Sequence, residues 1–141
     1  MDGVTVTVVI SATTTLIVAW LANHFARARE HEADWRKMKL ERYREYILAL
    51  SGMVEERANL EAQTRYADAV NSLMLVAPPF VMSALDALLA ETSYRNMDKN
   101  AERQDKLLGD LIRLMRKDIQ PKPLKGDDEL QFRLLGVPPP D

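Results

Sequence analysis

The chain has no cysteine, and only five of its 141 residues are glycine. The absence of cysteine excludes disulfide scaffolds and thiolate metal centres, and leaves the redox compartment unread. Few glycines, with few Asn-Gly or Asp-Gly pairs, argue against an all-β fold built from many hairpins. Aromatic residues make up 6% of the chain, which suits helices packed by Leu, Met and Ala. Histidine is limited to His24 and His31. The net charge of -2 gives no global case for nucleic acid as a partner. Charge is also missing locally: the first 26 residues carry only Asp2, and all 19 Lys and Arg follow Ala26.

Hydrophobic residues make up 47% of the chain, enough for a core, and the length suits one compact unit. The uncharged start, Val4 to Ala22, reads VTVTVVISATTTLIVAWLA, with 13 apolar residues and 6 Ser or Thr in 19. A helix of that length covers roughly 28 Å, close to the hydrocarbon thickness of a bilayer. Ser and Thr hydroxyls can bond back to the preceding turn there. A cleaved signal wants a positive stretch before the apolar run, and Met1-Asp2-Gly3 supplies none. The sequence therefore predicts an N-terminal transmembrane anchor over 1–26. A core helix of a soluble protein is the competing reading. Basic residues from Arg27 and Arg29 onward place the N-terminus outside and the rest in the cytoplasm at the inner membrane. Trp20, Arg27 and Arg29 would mark the inner boundary. Thr7, Ser11, Thr15 and Ala19 recur every four residues, a small-residue stripe suited to self-association or produced by a Thr-rich composition.

Residues 27–120 read as a small antiparallel helical bundle of three to four helices. No Gly or Pro lies between Asn23 and Asp34, so the first helix can run on from the span. Tyr43, Ile47, Leu50 and Val54 recur at helical spacing, with Gly52 the expected place for a bend. Tyr66, Ala69, Val70, Leu73 and Ala77 carry a second helix. A turn is expected near Ala62 to Thr64, although one long helix to Val76 also fits. The apolar stretch LMLVAPPFV, residues 73–81, is too short on either side of its prolines to cross a bilayer. It predicts a corner, with a third helix from Pro79 to Thr92. Val81, Ala84, Leu85, Leu88 and Leu89 would face the core, with Asp86 and Glu91 pointing away. A fourth helix is capped by Asp98 or Asn100 and ends at Gln120-Pro121. Its stripe is Leu108, Leu111, Ile112, Met115 and Ile119. Residues 121–141 form a Pro-rich tail. Its Phe132 and Leu135 would fold back on the bundle or dock on another chain.

No catalytic motif emerges, so an enzyme is not expected. His24 and His31 are seven apart and lack a close-spaced metal-ligand pair. Glu55 and Glu56 are adjacent and diverge by about 100° on a helix. No glycine-rich loop precedes a helix, so no phosphate cradle is indicated, and no cofactor is expected. Arg113, Arg116 and Lys117 could contact an anionic partner or lipid head group, or simply complete a basic helix end.

The motifs WRKMKLERYREYI (35–47), LMLVAPPFV and LLGDLIRLMRKDI (107–119), behind an apolar N-terminus, resemble small bacterial single-pass membrane proteins with a cytoplasmic helical bundle. That resemblance carries no catalytic or ligand residue with it. No function comes with it either; the residues themselves read as a membrane-anchored interaction or scaffold protein. Such a protein would be a homo-oligomer in contact with membrane lipid, or would receive a cytoplasmic protein partner. An oligomeric membrane-perturbing effector or small channel is the alternative.

Overall fold

A computed structural model describes the backbone of residues 3–53 and 59–120, with 122, 126, 130 and 132, and the side chains of these from residue 16 onward. Four helices and no strand occur among the described residues: α1 Gly3–Met53, α2 Leu60–Leu73, α3 Pro79–Thr92 and α4 Ala101–Ile119. The chain divides into two compact units, Met1–Lys37 and Met38–Asp141. Helix α1 contributes to both.

The membrane anchor is not upheld. Among the described residues no helix is long and apolar enough to cross a membrane. From Asn23 the helix continues with polar and charged side chains, Asn23, His24 and Arg27. The single-pass architecture, the inner-membrane location and the orientation drawn from Arg27 and Arg29 are corrected accordingly. The side chains of residues 4–15, on which most of that expectation rested, lie outside the described residues.

In the second unit the breaks follow local chemistry. The turn expected near Ala62 to Thr64 is displaced. Those residues are inside α2, which starts after Asn59. Asn59 is the N-cap: its Oδ1 accepts the Ala62 N–H at 2.8 Å, supplying a partner for an otherwise orphan donor. At the other end α2 stops at Leu73, four residues before Ala77. The N–H groups of Met74, Leu75 and Val76 donate to the carbonyls three residues back, tightening the chain into the corner. Pro78 is extended and Pro79 is the first residue of α3, where a missing N–H costs nothing. Asn100 caps α4 by accepting the Arg103 N–H at 3.0 Å. Gln120 is extended, as a residue before proline favours, and ends that helix.

These helices meet in one core. Tyr43 and Tyr46 of α1, Ala69, Val70 and Leu73 of α2, Val76 of the corner, Val81, Leu85 and Leu88 of α3, and Leu111 and Met115 of α4 are all buried. Ile112, expected in the α4 stripe, is only half-buried. Helices α3 and α4 form the closest pair. Glu91 departs from its expected outward direction: it is buried, at 9% exposure. It follows Leu88 by three residues, so it shares that residue's face.

Candidate interaction surfaces

Two carboxylates tie the second unit together, and both stand near helix C-termini. The negative end of a helix disfavours an acid, so each needs compensation. Asp118, in the last turn of α4, receives it from α1. Tyr43 Oη donates to Asp118 Oδ2 at 2.6 Å, and Lys39 Nζ donates to Oδ1 at 2.9 Å. The side chains of Lys39 and Asp118 are 12% and 10% exposed. Burial, then the neighbouring Asp118 carboxylate, pushes the Tyr43 ionisation far above the usual phenol range. The hydroxyl is therefore a committed donor and not a base.

Glu91, in the last turn of α3, finds its compensation at the start of α4. Its Oε1 accepts the Asn100 N–H at 2.9 Å and its Oε2 meets Arg103 Nε at 2.8 Å. The Asn100 N–H, with Arg103 and Asn96 adding to it, holds the Glu91 carboxyl below its usual range. The loop between is knitted by short bonds. Asn96 Nδ2 donates to the Glu91 carbonyl at 3.0 Å, and Arg103 Nη2 donates to the Asp98 carbonyl at 2.6 Å. Neither cluster was visible as a motif. The available signal was an acid in a final helical turn, where a base would be favoured.

A third buried polar group lies under α2. Tyr46 is 0% exposed, and its hydroxyl has no hydrogen-bond partner among the described residues. Its ring stands 5.9 Å from that of Tyr66. Burial raises the ionisation of both phenols. No group of three or more His, Cys, Asp or Glu placed to hold a metal ion occurs among the described residues.

No protein-family model, curated protein or solved structure matches the chain.

In the first unit the side chains of Leu16, Ile17, Val18, Trp20 and Phe25 are exposed by 59% to 70%. Trp20 stacks on His24 at 5.6 Å, and His24 meets the Phe25 ring edge-on at 6.2 Å. Arg27 and Arg29 are exposed, and Arg29 Nε donates to the Phe25 carbonyl at 3.3 Å. The boundary role expected of Trp20, Arg27 and Arg29 rested on a span that is not found among the described residues. Of the expected small-residue stripe, Ala19 is exposed. Thr7, Ser11 and Thr15 lie outside the residues whose side chains are described, and Glu55 and Glu56 lie outside the described residues altogether.

The basic end of α4 is engaged with its own chain. Arg113 Nη1 meets Asp110 Oδ1 at 2.6 Å, and Arg113 Nη2 donates to the Leu130 carbonyl at 3.1 Å. The Arg116 guanidinium stands over the Phe132 ring at 5.4 Å. Lys117 is exposed. Leu135 lies outside the described residues. Gly126 adopts φ of 87°, a left-handed conformation that glycine takes without strain.

Proposed function

We propose that this chain is a helical interaction protein that self-associates through the apolar part of α1. The observation that supports this is the exposure of Leu16, Ile17, Val18, Trp20 and Phe25 on one short helical stretch. Scattered exposed apolar residues are ordinary, but a contiguous set points to a contact surface. Fully covering one such side chain is worth about 1.5–3 kcal/mol. Association costs an estimated 4–15 kcal/mol in lost freedom, so one or two covered residues do not hold a complex and the whole set is needed. At 100° per residue, Leu16, Val18, Trp20 and Phe25 do not share one narrow stripe. Several flanking copies cover such a surface better than a single partner helix does.

The test is the mass of the full chain by light scattering over a concentration series. Self-association gives a multiple of 16.0 kDa, and the paired change Ile17→Glu with Phe25→Glu returns it to the monomer. A monomer at every concentration sinks the proposal. So does an oligomer unaffected by the paired change, or binding to phospholipid vesicles in place of self-association.

A further inference from the structure

We propose that the apolar stretch of α1 in one copy docks on the corner between α2 and α3 of a second copy, with Arg27 and Arg29 set against Asp68 and Asp86. This rests on the self-association proposed above and names the surface that covers it.

The corner is apolar and free of charge. No charged residue lies between Asp68 and Asp86. Past Leu73 the N–H groups of Met74, Leu75 and Val76 bond three residues back. That tight turn buries Val76 and leaves Met74 and Leu75 standing out, at 62% and 83% exposure. Pro78 and Pro79 bring no N–H group to the surface. Phe80 is also exposed, in the first turn of α3. Ser83 and Ala87, three and seven residues on, continue its face as exposed small side chains. Large apolar side chains gathered in such a patch mark an interaction surface.

Charge decides what the corner fits. Leu16 to Ala26 carry no Asp, Glu, Lys or Arg, and the exposed Arg27 and Arg29 follow at once. The corner is bordered by exposed carboxylates instead, Asp68 on α2 and Asp86 on α3. Apolar surface then meets apolar surface, and the basic border of one meets the acidic border of the other. Two α1 stretches running in parallel would set Arg27 and Arg29 against their own copies, and two corners would oppose acid with acid. The acidic border also turns the corner away from anionic lipid. The contact is therefore heterologous: each copy offers one surface and receives the other, so copies add in succession or close a ring.

The experiment mixes two variants of the full chain and follows mass by light scattering. Leu75→Glu with Phe80→Glu disables the corner, and Ile17→Glu with Phe25→Glu disables α1. Each variant alone should fall to the monomer mass of 16.0 kDa. Their equimolar mixture should recover a larger complex containing both, because one supplies the intact α1 and the other the intact corner. Far-UV circular dichroism checks that each keeps the helicity of wild type. A second set leaves the apolar residues untouched. Arg27→Glu with Arg29→Glu should weaken association by up to about fivefold for each pair lost, and adding Asp68→Lys with Asp86→Lys should restore it. A corner variant that keeps the wild-type mass overturns this inference and leaves the α1 reading standing. So does a mixture that stays monomeric, or a charge exchange that restores nothing. A wild type that is itself monomeric overturns both.

Discussion

Replacing Tyr43 by Phe isolates the bond that joins α1 to the end of α4. The ring is 3% exposed and stays in place, so no cavity opens. What disappears is a 2.6 Å hydrogen bond to a carboxylate that is itself only 10% exposed. Hydrogen bonds to charged groups contribute about 1.5–3 kcal/mol net, and that is the expected loss. The nearby Arg42–Glu45 pair, at 2.8 Å but roughly half-exposed, supplies the contrast. Exposed pairs contribute about 0–1 kcal/mol, so Glu45→Gln should cost far less despite a similar distance. Urea unfolding of the full chain, followed by circular dichroism, measures both. The midpoint should fall by about 1–2 M for Tyr43→Phe, with the slope unchanged. The pH dependence has a definite sign. A phenol whose ionisation is raised on folding contributes stability that is complete below its unfolded value, about 10, and lost as the pH rises above it. Wild type should therefore converge on Tyr43→Phe in alkali. A loss below about 0.5 kcal/mol at neutral pH, or a difference that grows in alkali, refutes the reasoning.

Glu91→Gln should flatten the acid limb of the stability profile. The carboxyl is held below its usual range, so its contribution is present above the unfolded value and lost as the pH falls through the folded one. Wild type should exceed the variant at pH 6 and approach it at pH 3, by thermal melts across that range; parallel profiles would remove Glu91 from the account. Gly109→Ala should stabilise α4 by about 0.8–1 kcal/mol, the helix-propensity gain with no clash to offset it. A lower midpoint in urea would mean that the space beside Gly109 is tighter than its geometry shows.

Where the sequence led correctly, a residue with special backbone chemistry marked the place. Pro79 set the start of α3, Asn100 that of α4, and Gln120 before Pro121 its end. Where it misled, the decisive information was either discreet or remote. Asn59 is a capping residue in plain view, but Leu60-Glu61-Ala62 continues a good helical composition, which hides the break before it. Tyr43 and Asp118 are 75 residues apart, and no periodicity links them. Lys39 read as one of several basic residues after an apolar segment, yet it serves a buried carboxylate. Glu91 read as outward because it is charged, although its register with Leu88 placed it inward. The anchor expectation weighed uncharged length most heavily. Among the described residues no helix is long and apolar enough to cross a membrane.

The position of Glu91 has a consequence for how the chain folds. Its carboxylate closes a loop of nine residues onto the Asn100 N–H. Closing so short a loop costs little chain entropy, and the cost of longer loops rises only slowly beyond it. The same contact ends one helix and begins the next. Starting α4 and docking it against α3 are therefore a single local event, which need not await the distant pairing of α1 with Asp118. The short loop predicts that the α3–α4 hairpin forms before the Lys39 and Tyr43 contacts to Asp118, so Glu91→Gln should slow folding more than Tyr43→Phe does in stopped-flow refolding.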